Sequence, residues 1–409
     1  MRRTLFLLIV AAMVGSPAMA ASVAERAPVS AKPAAVKPPV SAKPAPVIAP
    51  ADQALYDRLC VAVSAAYDSS RGGFVSKSGE PHEGAIELML ARGRDGDPLA
   101  MARALRTLAW TRALLDTTGG GYVNGTRDKD PMKAFLDKGT IPNARRLELL
   151  TQAWAATKDP TYQRDGRFVI DFFERVLLDP RGGFYTGQVG SIDLEPEANG
   201  IALQAWWRWA AVNAAPERRD FALKSEARLW SDCRLPELGF VRRTTFGQMR
   251  EPALLGDQVE MGRAHLYAWS ATGRDSELVR AREVGAHVLA RFRDPAKGSF
   301  RMEYAYERFG HALRARRPFD DNARAARFLV ELGRATADTV YVNAARGAWA
   351  AFDREFDKSK FEAADWALSV RALWAEDLPA KSGWGVREKM ATGKAGAKPS
   401  RATARSKRR

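Results

Sequence analysis

Cysteine is nearly missing from this chain: two residues, Cys60 and Cys233, in 409. A disulfide-built scaffold is therefore excluded, and the fold must rest on its hydrophobic core. Histidine is almost as scarce, with four residues. Two of them, His82 and His311, stand in polar links without a cysteine nearby, which is no basis for a zinc site. The stretch "NGTRDKD" (124–130) alternates oxygen-bearing side chains but lacks the later Gly and Glu of a calcium loop. No phosphate-cradling loop, nucleophile elbow, metalloprotease motif or C-x-x-C occurs. The expectation is a protein without cofactor or metal. Strand-type alternation is also nearly absent between residues 51 and 380, which leaves an all-α reading.

Long apolar runs are missing except at the start. Arg2 and Arg3 precede "LFLLIVAAMVG", and "AMA" ends at Ala20. A short basic stretch, an apolar stretch too short to span a membrane and a small-residue site together predict a cleaved signal peptide over 1–20, hence a periplasmic or secreted protein. Residues 21–50 are rich in Pro, Ala and Lys and hold no aromatic. They cannot bury enough apolar surface to offset their ordering entropy, so a disordered tether is expected there. Residues 381–409 carry ten Lys/Arg against one Glu and are expected to be a basic disordered tail.

These ends explain the net charge of +16. They hold 16 of the 64 Lys/Arg and 2 of the 48 Asp/Glu, leaving 48 basic against 46 acidic residues in 51–380. A nucleic-acid partner would need a basic face on the folded part, and the balance offers none. The tail has the charge to contact an anionic envelope surface.

What is present between 51 and 380 is helical periodicity, cut into about twelve segments by Pro, Gly and capping residues. Tight links such as "GRDGDP" (93–98) and "TKDPT" (157–161) alternate with long ones. Most tight links put an Asp where the next helix begins, an expected N-cap. Each long link holds a small-residue–aromatic element: "RGGF" (71–74), "GGGY" (119–122), "RGGF" (181–184), "LGF" (238–240), "GSF" (298–300) and the reduced "KSKF" (358–361). The aromatics recur about every 60 residues, two helices per repeat. Six helical hairpins, none able to bury its apolar stripe alone, predict an (α/α)6 toroid rather than an open solenoid. Odd helices should lie outside and even helices inside, with the long links gathered at one mouth. Cys60 and Cys233 would then fall on opposite sides, and no disulfide between them is expected.

With these links in view the chain resembles the barrel half of the spermatogenesis-associated thioredoxin-like protein family over roughly residues 60–355. The matching pieces include "GGFVSKSGEPHEGAIELML", "LLDPRGGFYTGQ", "ANGIALQAWWRWA" and "DDNARAARFLVELGRATADTVY". That family places a thioredoxin-like domain before its barrel; here a Pro/Ala tether stands in its place. Asp137 and Asn143 stand where the family tends to have His and Glu. The resemblance implies the toroid fold. A fainter similarity is to N-acylglucosamine and cellobiose 2-epimerases, which use histidines on inner helices; here only His265 and His287 fall on helices.

A toroid of this type that cleaves sugars needs two carboxylates facing each other across the mouth. Asp257 and Glu260 share one face of the eighth helix, and Asp320 and Asp321 open the tenth; these four are the candidate catalytic residues. The competing reading of Asp257 and Glu260 is an N-cap with its capping box, and of Asp320 or Asp321 an N-cap. Phe74, Tyr122, Tyr185, Gln188, Asn199, Tyr304 and Trp366 are the candidates for stacking on or hydrogen-bonding a sugar, whereas Trp206, Trp207 and Trp209 read as core. The functional expectation is an exported protein that binds or processes carbohydrate, by carboxylate acid/base chemistry if it is an enzyme. The alternative is a non-catalytic binding or scaffold protein of the envelope with a degenerate site. A mouth plugged by arginine–aspartate pairs or by apolar side chains would sink glycosidase-like chemistry.

Overall fold

The computed structural model describes residues 48–76, 79–123, 138–188, 193–243, 249–250, 253–303, 316–375 and 377–379. The expected signal and basic tail, the expected tether except its last three residues, the 124–130 stretch, Asp137, Tyr304 and His311 lie outside the described residues.

Thirteen α-helices are described: α1 (Pro50–Ala65), α2 (Glu83–Arg94), α3 (Pro98–Thr111), α4 (Thr140–Thr157), α5 (Pro160–Phe172), α6 (Pro196–Asn213), α7 (Pro216–Asp232), α8 (Leu255–Thr272), α9 (Asp275–His287), α10 (Phe319–Thr336), α11 (Thr339–Ala351), the single turn α12 (Asp353–Phe356) and α13 (Ala363–Arg371). Twelve correspond to the segments read from the sequence. Asp97, Asp159 and Asp338 do cap α3, α5 and α11, each accepting a backbone N–H with its side chain. In α5 and α9 the last turn widens into a π-turn, Phe173–Leu177 and Val288–Phe292, before the chain enters a long link. Two short antiparallel ribbons, Arg234–Leu235 with Gly239–Phe240 and Arg242–Arg243 with Met249–Arg250, lie between α7 and α8. Among the described residues no helix is long and apolar enough to cross a membrane.

The packing closes into a ring. Helix α2 packs on α4, α4 on α6, α6 on α8, α8 on α10, α10 on α13, and α13 back on α2. Outside it, α3, α5, α7, α9 and α11 each pack on the inner helix just before them, and α1 packs on α13. The fold is an (α/α)6 toroid, with the sixth hairpin assembled from the two ends of the domain. Inner helices are buried nearly all round: of the 18 residues of α8, 15 are buried.

The glycine–aromatic links are held by a device repeated four times. Asn143, Asn199, Gln258 and Asn322 each occupy the fourth position of an inner helix. Each amide oxygen accepts from the backbone N–H of the link aromatic (Tyr122, Phe184, Phe240, Phe300) at 2.6–2.7 Å. Each amide nitrogen donates back to the same residue's carbonyl at 2.7–3.0 Å. The aromatic ring can then bury without stranding its own peptide groups. Gly183 shows why glycine precedes it: φ is +92°, and a Cβ there would stand 3.1 Å from the Asn199 amide oxygen. Cys60 and Cys233 are buried, and neither is joined in a disulfide.

Candidate functional site

The inner helices enclose an axial cleft of about 600 Å³, counting the part open to solvent. Its wall is charged. Glu83 and Glu87 come from α2, Arg145 and Glu148 from α4, Gln204 from α6, Glu260, Arg263 and Tyr267 from α8, Arg324 and Arg327 from α10, and Asp365 from α13. Spacing of three or four along each helix brings these residues to one inward face.

Most of the wall's charges neutralise one another between helices. Arg146 holds Glu83 at 3.2 Å and Arg327 holds Glu87 at 2.7 Å. Arg208 contacts Glu148 and donates to the Tyr267 hydroxyl at 3.0 Å. Arg263 grips Glu331 through two bonds, at 3.0 and 3.2 Å. Arg324 joins Glu260 at 3.2 Å, Glu197 at 2.8 Å and Asp321. Gln204 donates to Glu260 Oε2 at 2.9 Å. Burial alone would raise the Glu87 and Glu260 carboxyls, but the arginines outweigh it and hold both below their ordinary range, Glu87 at about 2. Glu148 moves the other way: burial pushes it up against the pull of Arg208.

Two cleft groups stand outside this pairing. Asp365 and Arg145 make no ion pair among the described residues, although Arg145 contributes to holding Glu260 ionised. Asp365 packs on α2 where Gly84 leaves room, since a Cβ there would meet its Oδ1 at 2.7 Å.

The sequence candidates divide accordingly. Asp257 is fully buried at the α6–α8 contact, away from the cleft wall, with Oδ1 accepting from Glu197 N–H at 3.0 Å and Arg242 Nε 3.5 Å from Oδ2. It does not line the cleft, and it is not the N-cap of α8. It is the third residue of α8, behind Leu254, which makes no side-chain cap. Burial pushes its carboxyl up to about 7, with Arg242 opposing. The expected shared face of Asp257 and Glu260 exists, but it turns largely toward α6, where Gly200 lets the helices meet; a Cβ at Gly200 would lie 2.5 Å from the Glu260 carbonyl carbon. Glu260 does reach the cleft, tied to Arg324 and Gln204. Asp320 and Asp321 are not N-caps either, because Pro318 precedes α10. Asp321 is held by Arg324, while Asp320 lies in the first turn of α10, its carboxyl raised by loss of solvation and then by the charge of Asp365.

The proposed sugar-facing aromatics are corrected more strongly. Phe74, Tyr122 and Trp366 are buried core, packed under the links or between helices, and they offer a ligand no ring face. Asn199 is consumed by its clamp on Phe184. Tyr185 is half-buried and Gln188 exposed on the link after α5, and neither lines the cleft. Sequence reasoning missed Arg145, Glu148, Gln204, Arg263, Tyr267, Arg324, Arg327 and Asp365. A signal for several was available, because partners on neighbouring inner helices recur near the repeat length: Glu83 and Arg146 are 63 residues apart, Glu148 and Arg208 60, Glu260 and Arg324 64.

No known protein-family pattern matches the chain, and no curated protein does. Solved structures do match. A D-mannose isomerase superposes with a TM-score of 0.64 at 12% identity, over 79% of this chain and 96% of its own. A cellobiose 2-epimerase from Bacillus thermoamylovorans gives 0.62 at 12%, over 74% and 87%. A GH76 alpha-mannanase from Bacteroides thetaiotaomicron gives 0.61 at 11%, over 79% and 95%. The faint similarity to cellobiose 2-epimerases read from the sequence thus reappears as a likeness of fold, and these structures share the toroid with this chain.

Proposed function

We propose that the protein takes a carbohydrate into the axial cleft and processes it by carboxylate acid/base chemistry centred on Asp365. The observation that carries this reading is the state of the wall: Glu83, Glu87, Glu148 and Glu260 each answer to an arginine, whereas Asp365 does not. A carboxylate not held by a cation is free to exchange a proton with a bound hydroxyl or glycosidic oxygen. Arg145 offers donors for the remaining hydroxyls. The sugar-acting names of the fold's neighbours point to the same ligand class. We also propose export, on the strength of the first twenty residues.

The test is a screen of the full chain against mono- and oligosaccharides, with D365N as the shape-preserving variant. The expected outcome is turnover of at least one sugar, lowered by about 100-fold or more in D365N with folding unchanged. Equal turnover in D365N would remove Asp365 from the chemistry. A second reading, a binding protein without catalysis, is favoured by the arginines that immobilise Glu260 and Asp321. It predicts sugar binding with no turnover in any variant.

A further inference from the structure

Away from the cleft, the ring wall buries a second set of chemical groups. Glu226 of α7, His265 of α8 and Glu277 of α9 are all enclosed, and one ligand atom from each lies within 4.8 Å of the others. His265 Nδ1 stands 2.8 Å from Glu277 Oε2, and Arg280 approaches Glu277 Oε1 from outside at 3.3 Å. Glu226 Oε1 accepts the Trp207 indole N–H at 2.8 Å, while Trp230 covers the imidazole edge-on at 5.3 Å. Two of the cluster's own atoms, Glu226 Oε2 and His265 Nε2, are enclosed and have no hydrogen-bond partner.

We propose that Glu226, His265 and Glu277 form a structural site for a divalent transition cation, Zn2+ first. Two carboxylates buried side by side repel, and Glu226 makes no ion pair among the described residues; an uncompensated buried carboxylate is costly. With both acids ionised, Arg280 offsets one charge and a divalent ion more than offsets the other. One imidazole and two carboxylates suit Zn2+ or Mn2+, whereas Ca2+ takes six to eight oxygens. Ligands at about 2.0–2.2 Å from Zn2+ sit roughly 3.3–3.6 Å apart in a tetrahedron, so small side-chain adjustments let the three residues fill three positions, the fourth falling to a water. The ion would tie α7, α8 and α9 together behind the inner wall. This role is independent of the cleft chemistry.

The full chain, stripped with chelator, is titrated with ZnCl2 by calorimetry and melted with and without the metal. The expected result is one tight site per chain, a Tm rise of about 5 °C with saturating Zn2+, and at least tenfold weaker binding in E226Q and E277Q. Absence of a one-to-one site, or equal affinity in E226Q, overturns the proposal and leaves Glu226 as a neutral acid. Should both variants fail to fold, X-ray absorption on the zinc-loaded wild type decides. A shell of about four nitrogen/oxygen ligands with the outer-shell scattering of one imidazole supports the site, and sulfur or several imidazoles overturn it.

Discussion

At the scale of single residues, Asp257 shows how position in a ring changes what a carboxylate does. One of the four catalytic candidates read from the sequence, it packs against the start of α6, facing Arg242 with Glu195 and Glu197 beside it. Its folded-state pKa of about 7 lies above the ordinary aspartate value. The native protein therefore holds a proton that the unfolded chain has released between about pH 4 and 7. Stability from this group is full below that window and is lost as pH rises through 7, by at most about 4 kcal/mol. Melting curves from pH 5 to 8 should show the wild type losing stability, with D257N losing several degrees less over the same range. Parallel curves would show that Arg242 keeps Asp257 ionised throughout. Nothing in the local sequence distinguished Asp257 from Glu260. Three positions apart on one helix, they were separated only by which neighbour each meets.

At the scale of elements, much was legible. Caps, prolines and apolar spacing marked the helices, and glycine–aromatic words marked five of the six outer-to-inner crossings, with the glycine-free "KSKF" at the last. What stayed hidden was the clamp that makes those words necessary, because an amide's partner is a backbone group some 15–22 residues earlier. Backbone partners leave no trace in residue type; only the amide at position four of four inner helices does. Replacing Asn322 by Ala removes both bonds to Phe300 and one to the Pro318 carbonyl. Two buried peptide groups are stranded, at a cost of about 2–4 kcal/mol. Chemical denaturation of N322A should show this loss with an unchanged slope. N322D, which accepts but cannot donate, should fall at least as far; a loss below about 1 kcal/mol in both would mean that water replaces the amide.

At the scale of the whole molecule, the ring explains why the cleft was the least legible part. Its groups come from six helices spread over about 280 residues, and each acquires meaning only from partners one repeat away. The same geometry makes closure depend on the last helix. Helix α13 fills the gap between α10 and α2 and is the partner of α1, and Arg371 near its end holds Asp95 through two bonds at 2.9 and 3.0 Å. Arg346 on α11 reaches Asp52 of α1 at 2.7 Å across the same seam. The chain's ends therefore matter unequally. If residues 1–20 are a signal and the folded unit is 51–380, the exported protein should begin at Ala21 by N-terminal sequencing. A version trimmed to 48–379 should then melt within about 2 °C of it, since the composition of a Pro/Ala/Lys tether and a basic tail leaves little apolar surface to bury. Trimming further to 48–357 removes α13, uncovers the inner faces of α2 and α10 and leaves α1 without its hairpin partner. A ring missing one of six inner helices cannot bury its neighbours' apolar faces, so cooperative melting should be lost. A cooperative transition in that shorter chain would show that the toroid tolerates an open seam, and that five hairpins suffice for its core.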